Sequence, residues 1–169
     1  MREEVTALLE NRNELLTITY FKIQELFDKK YGENALVLME IGTFFEVYEV
    51  NNEKEKIGKA KEIAELLNIQ LTRKNKAILE NSKENPIMAG VPAISFEKHL
   101  ARIIAEQKYT IAIIKQKGTP PNVSRYLDVV VSPGTNFDFV VEQDDNFITS
   151  IVIDQIRGNY LIGYSAIDV

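Results

Sequence analysis

Few side chains in this sequence stand where chemistry could use them, and the first group lies within residues 36–50, LVLMEIGTFFEVYEV. Gly42-Thr43 interrupts two short apolar runs, and a glycine lets the backbone turn or approach another molecule closely. Phe44 follows the break, and Glu46 comes two positions later, so in a strand the two share a face. A ring beside a carboxylate is an odd core and suits a probe; the plainer reading is a core ring and an exposed strand glutamate. Arg73, Lys74 and Lys76 form a second group, where a strand runs into a loop of roughly ten residues. A basic loop at a strand end suits a phosphate contact, against the plainer reading of a solvated loop. His99 is the only histidine. It lies one residue from an apolar helical stripe with no cysteine near it, which favours a surface or half-buried helix residue over a metal ligand or catalytic base. Asp154 and Asp168 fall on two neighbouring strands, where paired carboxylates could hold Mg²⁺ for phosphodiester cleavage.

The composition bounds these readings. A chain of 169 residues allows one domain, or one plus part of another. Hydrophobic residues make up 45% and charged residues 27%, an ordinary globular balance. The absence of cysteine excludes a disulfide framework and thiolate metal sites and fits a reducing compartment. No run is long enough to span a membrane, and the opening MREEVTALLE is too charged for a signal peptide, so an intracellular location is expected. A net charge of −5 argues weakly against a nucleic-acid partner. The distribution qualifies this: residues 70–118 carry a net +5 between flanks of −5 each.

Around the candidate residues the pattern gives alternating helices and strands. Leu8 and Leu9 suggest one short turn. Apolar spacing predicts a helix over 17–31 closed by Gly32. Strands are predicted over 36–39 and 44–50, with Phe45, Val47 and Val50 inward. Residues 57–67 read as an amphipathic helix beginning at Ile57, with Asn68 at its end. Ile69, Leu71 and Arg73 follow with strand alternation, and Asn75, Asn81, Ser82 and Asn85 mark an exposed loop. Residues 86–92 read as a buried strand, and Ser95 as the cap of a helix over 96–107. Strands over 109–115 and 127–131 follow. Residues 147–154 and 160–169 then form a hairpin through Arg157-Gly158-Asn159. The chain still reads as strand at its last residue, so a fragment of something longer is expected.

Four of these stretches, in order, resemble the MutS family of DNA mismatch-recognition proteins. Met39 to Glu46 contains the family's Gly-x-Phe-x-Glu element. Residues 66–73, LLNIQLTR, are similar to its Leu-Asp-Ile-x-Leu-Thr passage, residues 86–92 to its Pro-x-Met-Ala-Gly-x-Pro segment, and residues 131–135 to its Thr-Pro-Gly-Thr. The likeness runs from about Tyr20 to the C-terminal residue. Thr43 stands where the family often has an acidic residue, and Phe45 where it often has tyrosine. The resemblance implies an α/β fold, a mixed β-sheet flanked by helices, in a mismatch-recognition domain over 1–136. A linker over 137–146 and the first hairpin of a ribonuclease H-like connector domain over 147–169 follow. It implies that Phe44 wedges into kinked duplex at a mispaired or unpaired base while Glu46 hydrogen-bonds there. Gly42, Arg73, Lys74 and Lys76 join them as the expected DNA-binding residues. Expected partners are mismatched double-stranded DNA, a second MutS subunit and, through the connector, a MutL-type repair protein. No cofactor is expected within these residues; ATP and Mg belong to a C-terminal ATPase domain, and no Gly-Lys-Ser phosphate loop occurs here. The rival readings are a metal-dependent ribonuclease H-like nuclease fragment built on Asp154 and Asp168, or a protein-interaction module.

Overall fold

β-Branched and aliphatic runs separated by amphipathic stretches demand a sheet covered by helices, since each apolar face must be buried against another element. A computed structural model describes residues 1–135 and 147–168. The elements are α1 (Arg2–Glu10), α2 (Leu16–Tyr31), β1 (Ala35–Ile41), β2 (Phe44–Asn51), β3 (Lys56–Gly58), α3 (Ala60–Leu67), β4 (Thr72–Arg73), β5 (Ile87–Pro92), α4 (Phe96–Ala105), β6 (Thr110–Lys117) and β7 (Ser124–Val131). The hairpin of β8 (Phe147–Ile156) and β9 (Asn159–Asp168) follows.

The main sheet runs β4-β5-β2-β1-β6-β7, with β3 added beside β2. β1 and β6 are parallel, and the other pairs are antiparallel, so the sheet is mixed. Its central strands are buried on both faces. One face packs Leu36, Leu38, Val47, Ile111 and Ile113 against Ile63, Leu67, Leu100 and Ile103 of α3 and α4. The other packs Val37, Met39, Tyr48, Val50 and Ile114 against Tyr20, Phe21, Ile23 and Phe27 of α2 and Val5 of α1. The expected α/β fold with a mixed sheet flanked by helices is therefore the one observed. Among the described residues no helix is long and apolar enough to cross a membrane.

Several local expectations change. The short turn at Leu8-Leu9 is a nine-residue helix. Ile57 does not open α3. It lies in β3 opposite Val50, and α3 begins only at Ala60, because Gly58 adopts φ +86° and ends the strand. Asn68 does close that helix, in the left-handed conformation. The strand expected from Ile69 shrinks to Thr72-Arg73. Ser95 precedes α4, yet its hydroxyl donates back to the Pro92 carbonyl (3.2 Å) and makes no cap bond. Asn85 is buried rather than exposed. Its Nδ2 donates to Ile78 O (3.0 Å) and Glu80 O (3.1 Å), and its Oδ1 accepts from Asn75 N–H (2.7 Å), so it pegs the basic loop from within. The linker expected over 137–146 lies outside the described residues. The final hairpin turns at Arg157-Gly158, both at positive φ.

Candidate nucleic-acid interface

β1 and β2 are joined by the shortest of hairpins. Ile41 pairs with Phe44, leaving Gly42-Thr43 as the turn, and Gly42 takes φ +63°. Positive φ at the first turn position alone is the type II′ pattern, in which glycine is the preferred residue. The turn is held from both sides. The Gln116 amide donates to Gly42 C=O (2.7 Å) and its oxygen accepts from Gly42 N–H (3.1 Å). Ala93 N–H donates to Thr43 C=O (2.8 Å). Phe44 emerges from this fixed corner opposite Ile41 and Pro92, with 43% of its surface exposed. Strand alternation sends Phe45 to the other face, where its ring stacks on Phe96 at 3.7 Å.

Glu46 shares the face of Phe44, but its side chain is only 12% exposed. Its Oε2 accepts from the Tyr48 hydroxyl and from Lys74 Nζ (3.4 Å). Lys74 Nζ also donates to the Tyr48 hydroxyl (3.1 Å) and lies 5.3 Å from that ring's centroid. Tyr48 is buried edge-to-face on Tyr20 at 4.8 Å, and Tyr20 donates to the Val37 carbonyl (2.8 Å). Burial pushes the Tyr48 hydroxyl far above its ordinary range, and the Glu46 charge pushes it the same way, so Tyr48 keeps its proton and donates it. Gly90 pairs with Glu46 across β5, where a Cβ would stand 3.4 Å from Glu46 Cγ. Arg125, half-buried, donates from Nε to the Glu40 carbonyl (3.1 Å). Burial draws its pKa down, while the negative charges of Glu40 and Glu46 draw it up.

The basic loop does not present three free cations. The Arg73 guanidinium turns into the loop, donating to Ile78 O (3.4 Å) and Leu79 O. Lys74 is engaged with Glu46 and Tyr48, as above. Lys76 is exposed and has no partner among the described residues. His99 is half-buried on α4 with Nδ1 2.8 Å from Ser95 O, in keeping with a helix residue. Among the described residues no group of three or more His, Cys, Asp or Glu could hold a metal ion. Asp154 pairs with Leu161, whereas Asp168 pairs with Phe147, seven positions along the ladder. At about 3.3 Å per residue the two backbone positions stand some 23 Å apart, so the hairpin does not bring them together as a metal-binding pair.

Sequence reasoning missed four contributors. Tyr48 was within reach, since it stands two residues past Glu46 and must share its face. Gly90, Gln116 and Arg125 carry no local signal, because their roles arise from pairing between distant strands.

Residues 20–140 match the family described as MutS domain I. The chain is 30% identical over 167 residues to a DNA mismatch repair protein mutS homologue of Acanthamoeba polyphaga mimivirus, covering 95% of this chain and 15% of that one. It is 28% identical over 154 residues to DNA mismatch repair protein MutS of Fusobacterium nucleatum, covering 88% and 15%. With MutS of Lactococcus lactis it shares 29% over 148 residues, covering 84% and 16%. The chain thus spans only 15–16% of the length of these relatives. With a domain I match over residues 20–140 and the Gly42-x-Phe44-x-Glu46 corner at its sheet end, the chain belongs to the MutS family.

Proposed function

We propose that this chain recognises mispaired or unpaired bases in duplex DNA as the first step of mismatch repair, with Phe44 as the wedge and Glu46 as the hydrogen-bonding partner beside it. The observation that supports this reading is the half-exposed Phe44 ring on a pinned hairpin corner, on the same strand face as Glu46. A mispaired base has already lost part of its stacking and pairing, so the duplex kinks there more cheaply. An aromatic ring entering the minor groove stacks on that base and holds the kink. Unstacking costs a few kcal/mol per step on sound duplex and less at a mismatch, so deformability supplies most of the discrimination. Glu46 adds a bond that only a base displaced from its normal pair can complete, while its charge repels phosphates everywhere.

On this reading Lys76 is the free phosphate contact of the basic loop, Gly42 gives the corner its close approach, and Arg73 shapes the loop. Dimerisation, ATP and Mg chemistry, and contact with a MutL-type partner extend the same proposal to a longer protein. The test is equilibrium binding of the full-length protein and its Phe44→Ala, Glu46→Ala and double variants to matched and mismatched duplexes at one salt concentration. Phe44→Ala is expected to remove most of the preference for mismatched duplex, a loss of roughly 1–3 kcal/mol. Glu46→Ala is expected to keep or raise affinity for matched duplex while the preference falls. The double variant should lose less than the sum, since both residues act on one base. An unchanged preference in Phe44→Ala would sink the wedge.

A further inference from the structure

Glu46 is held by its neighbours in an unusual way. Both bonds it accepts fall on Oε2, from the Tyr48 hydroxyl and from Lys74. Its other oxygen, Oε1, takes no hydrogen bond from the described residues and is not among their fully buried unpartnered atoms, so it keeps both lone pairs and some access. The Tyr48 ring that fixes this arrangement is immobilised against Tyr20 in the core, and Gly90 leaves the space that the Glu46 side chain occupies over β5. The proton count closes: Tyr48 gives its one hydroxyl proton to the carboxylate and accepts from Lys74 in return.

We infer that Tyr48 and Lys74 are positioning residues for Glu46: they lock one carboxylate oxygen, balance its charge, and leave Oε1 as the single acceptor offered to a displaced base. The inference rests on the proposed role of Glu46. Its physical content is preorganisation. A carboxylate free to rotate would lose entropy on meeting a base, and one without a counter-ion would meet the full repulsion of the phosphates. Lys74, one of three loop cations that sequence alone assigns to phosphate, instead acts through the glutamate.

The experiment uses the full-length protein and variants Tyr48→Phe and Lys74→Met, each also combined with Glu46→Ala, on matched and mismatched duplexes across a salt series. Thermal melting is recorded alongside. Tyr48→Phe keeps the buried ring, and Lys74→Met keeps the stem, so both should fold. Each is expected to lower the mismatched-to-matched affinity ratio by roughly five- to tenfold, the scale of the net worth of one ordinary hydrogen bond. Lys74→Arg should restore most of the ratio. In the Glu46→Ala background neither change should move the ratio further, and the salt slope should stay as it is. If Glu46→Ala lowers the ratio but Tyr48→Phe and Lys74→Met do not, the positioning role falls and the reading of Glu46 stands. A salt slope reduced by about one in Lys74→Met, with the ratio unchanged, would make Lys74 a phosphate ligand and overturn the inference. If Glu46→Ala itself leaves the ratio unchanged, the proposed role of Glu46 fails and the inference fails with it.

Discussion

Tyr48 enters the site through its hydroxyl, and its backbone carbonyl constrains a second residue. A Cβ added to Gly58 would lie 2.0 Å from that carbonyl oxygen, and Gly58 sits at φ +86°. Gly58→Ala therefore meets both a backbone clash and a disfavoured dihedral. It is expected to destabilise the domain by more than about 1–2 kcal/mol, read from a denaturant melt. A loss under half of that would mean β3 can shift off β2 without cost. Gly90→Ala is the milder case. Its Cβ would stand 3.3 Å from Phe45 O and 3.4 Å from Glu46 Cγ, so small shifts can accommodate it. The melt should change little, while the glutamate is displaced and preference for mismatched duplex falls. Phe44 and Glu46 were legible as a pair because strand alternation is local. The Tyr48–Lys74 partnership was not, because 26 residues separate the two and only the β2–β5 and β4–β5 pairings bring them together.

At the scale of elements, the β1–β2 corner depends on a residue from β6. Gln116 satisfies both main-chain groups of Gly42. Gln116→Ala removes two hydrogen bonds at an exposed turn, each worth about 1 kcal/mol at most. The expected outcome is a modest fall in stability and faster amide exchange at Gly42, with the rest of the sheet unaffected. Unchanged exchange there would show that the turn residues alone set its rigidity. The same scale shows where sequence patterns mislead. Val5, Leu8 and Leu9 fit helical spacing, and Val5 is buried against α2, so the signal for α1 was present but short. Ile57 fitted the apolar face of α3 by spacing, yet Gly58 beside it needed a conformation that no helix supplies. Asn85 had the composition of a loop and the role of a core peg, a distinction that depends on carbonyls converging on its amide.

Across the whole molecule, the charge segregation of the sequence is partly consumed internally, by four of the nine cations of the middle segment. Lys74, Lys83, Lys108 and Lys115 of the basic middle segment pair with Glu46, Glu25 and Glu55, Glu62, and Asp128 of the acidic flanks. Such surface pairs contribute about 0–1 kcal/mol each, so their main effect is to remove cations from the supply available to phosphate. Residues 1–169 alone are therefore expected to bind duplex DNA weakly or not measurably at physiological salt, checked by fluorescence anisotropy. Nanomolar binding would place the affinity within these residues after all. The β8–β9 hairpin carries exposed apolar side chains on all of its described positions from Phe147 to Ile167 that bear them. A lone two-stranded hairpin is marginal in water, so a chain ending at Thr135 should melt at the same temperature as residues 1–169. A lower melting point in the shorter chain would show that the hairpin supports residues 1–135.

The pinned corner at Gly42-Thr43 has a kinetic consequence. A loop that ordered only on contact would add its own folding time to every base step it tested. Here the wedge arrives already shaped, its backbone bonds completed by Gln116 and Ala93. On the proposed reading, the slow step at each position then belongs to the duplex: a base step that does not open during the brief encounter is left behind, and one that opens holds the wedge. Sound steps are passed quickly, and a mismatch declares itself by yielding sooner, so the protein scans at a speed written by the DNA.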